Sequence, residues 1–231
     1  MKRIPILLQR MLMALVALLA TGVVDAAQQS TVASWVFTEG WDAETKGTVI
    51  TYTPDGSGWK ELSNVAWKTK QPVFLPNTCS GVATDYQLTL KTTDGKWQVK
   101  TSSTSYLLRL NTASIDKFTA PADYADGTKH DQYFEVSFPT TNLNNVNINF
   151  AIGDGSSSST HFGVVYSVDG GQTWNTLSDY VSGSHWNTYV DGKYSLNADN
   201  KAKVIVRLLI KSATKTSNYN LKYFNVLADD H

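Results

Sequence analysis

Apolar and polar residues alternate along most of this chain. Phe134, Val136 and Phe138 are separated by Glu135 and Ser137, and Val146, Ile148, Phe150 and Ile152 are separated by Asn147, Asn149 and Ala151. A period of two places one set of side chains on each face of a half-buried strand. The same reading applies to Tyr86, Leu88, Leu90; to Tyr106, Leu108, Leu110; and to Phe162, Val164, Tyr166, Val168. Val204 to Ile210 is apolar on both faces apart from Arg207, which predicts a central strand covered on both sides. Trp35 alternates with Phe37 and Trp97 with Val99, so both indoles are expected to point inward. Six Asp-Gly steps punctuate the runs, at Asp55, Asp94, Asp126, Asp154, Asp169 and Asp191. Each is expected to close a tight hairpin, because Asp tolerates the left-handed region and Gly favours it. Past residue 26 no stretch longer than ten residues combines helical periodicity with caps. The chain therefore reads as all-β, about ten to twelve strands in a jelly-roll-like two-sheet β-sandwich.

The N-terminus follows a different pattern. Lys2, Arg3 and Arg10 precede the apolar run Met11 to Val24, which is too short to span a bilayer comfortably. Val24-Asp25-Ala26 fits a cleavage site, so residues 1–26 are expected to be a secretory signal peptide. Residues 27–231 are then one β-sandwich domain, long enough to bury roughly 70% of its unfolded surface. Thr112 to His130 reads as a long crossover between strands or as a linker, the crossover being preferred because neither half has a clear way to bury its own sheet. The only cysteine, Cys79, is far from the cleavage point, which excludes a lipoprotein anchor there. The product is expected to be exported, either released or held at the cell surface.

Composition removes several function classes. The whole chain carries 20 Lys+Arg against 20 Asp+Glu, and loss of the signal leaves a net charge of −2. That gives no basic footprint for nucleic acid. One cysteine permits neither an intrachain disulfide nor a Cys-based zinc cluster, and Cys79 lacks an activating base nearby in sequence, so it reads as a small buried residue. His130, His161, His185 and His231 lack metal-ligand spacing. No nucleophile elbow, P-loop or dinucleotide fingerprint is present. Of four glutamates, Glu39, Glu44, Glu61 and Glu135, only Glu135 stands on a strand as a candidate buried acid, and a glycosidase needs two facing carboxylates.

Two patterns remain. Ser167-Val168-Asp169-Gly170-Gly171-Gln172-Thr173-Trp174 fits the Asp-box pattern S-x-D-x-G-x-T-W. Ser167, Asp169, Gly171, Thr173 and Trp174 are expected to form a structural hairpin clasp: the carboxylate accepts turn N–H bonds, Gly171 supplies permissive φ and Trp174 packs beneath. Because the box occurs once, a propeller built on repeated boxes is not expected. Seven Trp and eleven Tyr offer stacking platforms for sugars. Trp41, Trp59, Trp186 and Tyr189 lie among Gly, Asp, Ser and Asn in loop-like context and are the candidate carbohydrate-binding residues.

From Tyr133 to Val226 the order of strand, polar strand, Asp-box hairpin, variable loop with Trp186, apolar strand and closing Tyr223-Phe224-Asn225-Val226 resembles the galactose-binding-like jelly-roll modules of secreted Bacteroidetes proteins. These include the cleaved-adhesin type and accessory modules of pectin-degrading enzymes. Trp35 to Gly40 is similar to their opening strand. The resemblance implies a non-catalytic module that binds a polysaccharide or surface glycan, often with a structural Ca²⁺ near the first and last strands. Glu39 and Asn225 are the matching metal positions, although Phe224-Asn225-Val226 lacks a carboxylate that related closing strands carry. Three other readings stay open: an accessory module of a polysaccharide lyase or esterase standing alone, a structural cell-surface protein, and a secreted enzyme.

Overall fold

The structure is a computed structural model. It describes residues 29–37, 73–91, 96–102, 105–112, 132–154, 160–183, 190–212 and 217–229. The signal segment, Trp41, Trp59, Trp186, Tyr189, Glu39 and residues 113–131 lie outside them, as do the Asp55, Asp94 and Asp126 steps.

Thirteen strands occur in order among the described residues: β1 (Ser30–Val36), β2 (Val73–Phe74), β3 (Thr78–Cys79), β4 (Gln87–Lys91), β5 (Lys96–Ser102), β6 (Ser105–Thr112), β7 (Tyr133–Phe138), β8 (Asn144–Asp154), β9 (Thr160–Ser167), β10 (Asn175–Gly183), β11 (Val190–Ser195), β12 (Val204–Ser212) and β13 (Ser217–Asp229). One 3-10 turn, Ala83–Asp85, is the helical element among the described residues. Every pairing is antiparallel. The first sheet runs β11-β8-β13-β1-β3, with β6 also on β13 and β5 on β6; the second runs β10-β9-β12-β7-β4-β2. β2 and β3 have two residues each, too few to carry a periodicity in the sequence.

Between the sheets lies a continuous apolar core. Trp35 is 1% exposed, packs edge-on against Phe224 with centroids 6.2 Å apart, and donates from Nε1 to the Phe74 carbonyl of the opposite sheet at 3.1 Å. That one indole ties both layers. Phe150 stacks between Phe224 and Tyr194, each with centroids 6.0 Å away. β12 pairs with β9 and β7, and all its described side chains but Arg207 are buried, as its apolar run predicts.

Two departures from simple alternation shape the first sheet. On β13, Tyr219 and Leu221 face the core, and so do Phe224, Val226 and Ala228. The odd-to-even switch occurs at a register shift between Leu221 and Tyr223, where Lys222 is the extra residue and its carbonyl accepts from Phe37 N at 3.1 Å. A bulge of this kind exchanges the two faces of everything that follows. β1 shifts similarly at Val32, which is buried beside Ala33.

The Asp191-Gly192 step does not close a hairpin. It lies inside β11, opposite Ala151 and Phe150 of β8. A Cβ at Gly192 would stand 2.3 Å from the Phe150 ring, so this glycine makes room for an aromatic neighbour and is not there to turn the chain. Asp154 ends β8, and Gly155, the other half of that step, lies outside the described residues.

Candidate functional site

The Ser167–Trp174 segment joins β9 to β10. Asp169 Oδ1 accepts from Ser167 Oγ at 2.7 Å and from the backbone N–H groups of Gln172 and Thr173 at 3.0 Å each, while Oδ2 accepts from Thr173 Oγ1 at 2.5 Å. The Thr173 hydroxyl and N–H, with Ser167, hold this carboxyl well below the usual carboxylate range. Gly170 and Gly171 have φ of 76° and 91°, where a side chain would be strained. Trp174 Nε1 donates to the Gly171 carbonyl at 3.1 Å. The five residues of the motif therefore meet in one turn, and their polar groups satisfy each other.

Trp174 also reaches the outer face of the second sheet. The Arg207 guanidinium lies 4.3 Å from the centroids of both Tyr133 and Trp174, and its Nε is 2.7 Å from Glu135 Oε2. Glu135, the strand acid singled out in the sequence, is thus a half-buried partner of Arg207. Around this group Val165 and Leu209 are fully buried.

The first sheet has a different outer face. The bulge at Lys222 brings Tyr223 and Asn225 out on β13, and the registers set Lys193, Asn149, Asn225, Ser34 and Thr78 side by side across β11, β8, β13, β1 and β3. Neighbours in this row are separated by about 4.8 Å. Ser34 Oγ donates to Asn225 Oδ1 at 2.6 Å, and Asn225 Nδ2 donates to Asn149 Oδ1 at 2.7 Å. A second row contains Ser195 and Asn147, joined at 2.5 Å. Asn225, Asn149 and Asn147 are half-buried, whereas Lys193 and Ser195 at the edge are exposed. Amide and hydroxyl groups on this face offer both donors and acceptors, so each can pair with a ligand hydroxyl in either sense.

Asn225 is the one described member of the pair that the resemblance assigned to calcium. Its oxygen already accepts from Ser34, and its sheet neighbours are amides, hydroxyls and an ammonium group. Ca²⁺ wants several oxygens with charge among them, and the described residues around Asn225 do not supply that set. No group of three or more His, Cys, Asp or Glu suited to a metal occurs among the described residues. Cys79 packs partly against the core, with its Sγ 3.4 Å from the Gly81 carbonyl.

The four loop aromatics from the sequence fall outside the described residues, and the structure brings forward Tyr223, Asp191, Asn149 and Ser34 instead. Part of their signal was present in Asn147 and Asn149, two amides on one strand face. It was hidden on β13, where the bulge breaks the alternation.

The geometry defines a two-sheet antiparallel β-sandwich with a polar outer face on one sheet. No family model matches the chain, and no curated protein matches it. Solved structures that resemble it include TmCBM61 in complex with β-1,4-galactotriose, at 9% identity and a TM-score of 0.37 over 74% of this chain and 94% of that one. The K3 cleaved adhesin domain of Lys-gingipain from Porphyromonas gingivalis resembles it at 13% identity and 0.37, over 63% and 92%. The xylan-binding module CBM15 does so at 11% and 0.36, over 57% and 87%. Likeness at this level leaves function to be argued from the site.

Proposed function

We propose that this protein is an exported, non-catalytic carbohydrate-binding or adhesion-type module, and that its ligand is a polysaccharide or surface glycan. The observation that carries the reading is the uncharged row Asn149, Asn225, Ser34 on the outer face of the first sheet, linked by side-chain hydrogen bonds of 2.6 and 2.7 Å. Polyols are recognised by planar amides and hydroxyls held in fixed positions, because the bound ligand then replaces water bonds without ordering new side chains. The basic residues Lys2, Arg3 and Arg10 ahead of the apolar run Met11 to Val24 support export. Among the described residues Glu135 is committed to Arg207 and Asp169 to its own turn, which supports a binding role, since a glycosidase needs two facing carboxylates free for chemistry.

The test is a glycan array probed with residues 27–231, with calcium and with chelator, since Asn225 lies within the face. Binding to a defined polysaccharide class that falls at least tenfold in Asn149→Ala and Asn225→Ala, with melting temperature held, is the expected result. A folded protein that binds no glycan refutes the reading.

A further inference from the structure

One aromatic ring on the outer face of the first sheet is held in a way the core does not require. Tyr223 on β13 is paired with Ala151 on β8, and Ala151 with Asp191 on β11. The Tyr223 hydroxyl nevertheless donates to Asp191 Oδ1 at 2.8 Å. The two Cα positions are separated by two strand spacings, about 9–10 Å, so the side chain runs across the whole intervening strand. Ala151 permits the crossing: its methyl group is the smallest side chain that keeps strand geometry, and it is only 1% exposed. A ring anchored at its Cα on one side and its hydroxyl on the other cannot stand upright from the sheet.

The environment agrees with that geometry. Burial, then the bond to Asp191 and its charge, pushes the phenol up to about 12. Tyr223 is half-buried, and among the described residues neither a ring nor a cation stands over it. Among the described residues its upper face is uncovered beside the amide row, two residues or roughly 7 Å along β13 from Asn225.

We propose that Tyr223, laid across Ala151 and pinned by Asp191, is the stacking platform of a sugar subsite that takes a neutral pyranose residue of a polysaccharide. This deepens the carbohydrate-binding reading and rests on it. A pyranose presents an apolar C–H face to an aromatic ring and its hydroxyls outward from its rim. The rim then meets Asn149, Asn225 and Ser34. The ligand is neutral because the three residues that meet its rim, Asn149, Asn225 and Ser34, are uncharged, and Asp191 and Lys193 beside them on one strand are of opposite sign. A uronate above Asp191 would meet a carboxylate that is already hydrogen-bonded to the platform.

Soluble xylan and β-1,4-galactan, with polygalacturonate as the charged comparison, are titrated into residues 27–231 by calorimetry. Tyr223→Ala is expected to weaken binding to the neutral polymer at least tenfold, whereas Tyr223→Phe, which keeps the ring, stays within about threefold of wild type. Equal binding by a folded Tyr223→Ala variant overturns the subsite and leaves the carbohydrate-binding reading standing. Preference for polygalacturonate overturns the neutral assignment. Failure of the folded wild type to bind any polysaccharide overturns both readings. Should Tyr223→Ala fail to fold, nitration of Tyr223 in the wild-type protein with and without the bound neutral polymer decides: protection supports the platform, and unchanged nitration overturns it.

Discussion

The two sheets turn very different outer faces away from the core, though both carry aromatic residues there. On the second sheet Tyr133 and Trp174 hold the Arg207 guanidinium between them at 4.3 Å each, and Glu135 completes its pairing at 2.7 Å. Those rings are occupied by the protein itself. On the first sheet Tyr223 is tied, among the described residues, through its hydroxyl, beside a row of amides and hydroxyls. An aromatic on a sheet surface is thus not by itself a binding residue; what matters is whether a neighbour already occupies its face.

The sharpest way to break the comparison is to disturb the first sheet from beneath. Gly192→Val would drive a side chain into the Phe150 ring, which a Cβ alone would approach to 2.3 Å. We expect a loss of about 3 kcal/mol, read by urea denaturation, because the ring is stacked on both sides and has nowhere to go. Arg207→Ala tests the other face. It removes two cation–π contacts and leaves Glu135 unpaired, so it should cost about 2 kcal/mol while leaving glycan affinity unchanged. A variant that kept its stability but lost binding would reverse the roles given to the two faces.

Smaller effects separate the turn from the sheet. Asp169→Ala should lower the melting temperature by a few degrees without altering affinity. The Asp169 carboxyl titrates below its ordinary value of 3.8 in the folded chain, so its contribution is complete above that pH and is lost as pH falls below it. The melting difference between wild type and Asp169→Ala should accordingly shrink between pH 5 and pH 2. The smallest effect is that of Tyr223→Phe, below about 1 kcal/mol at neutral pH. Here the folded value is raised, from 10.0 to about 12, so the contribution is present below pH 10 and declines as pH rises from 10 toward 12. Urea denaturation of both proteins across that window checks the sign.

Much of this architecture was legible in the amino-acid sequence wherever period-two alternation ran unbroken. β7, β8 and the doubly buried β12 followed from Phe134 to Phe138, Val146 to Ile152 and Val204 to Ile210. The residues of the Ser167–Trp174 turn could be named in advance because its hydrogen bonds all close within four residues. The outer face of the first sheet was not legible, for two physical reasons. Its row is assembled from β11, β8, β13, β1 and β3, whose registers are set by pairings far apart in sequence. In addition, Asp191-Gly192 carries a turn signature, yet the Phe150 ring, not backbone conformation, dictates that glycine.

The extra residue at Lys222 gives the last strand something like a reading frame. Were the strand to run regularly through Lys222 instead of bulging there, Tyr223 and Asn225 would turn toward the core and Phe224 and Val226 toward water, with the sequence unchanged. Deleting Lys222 itself would keep each face as it is, because Leu221 and Tyr223 already pair with the consecutive residues Ile152 and Ala151. The bulge can give up its extra residue, whereas one residue inserted into the regular stretch beyond it would invert what the surface presents from that point on.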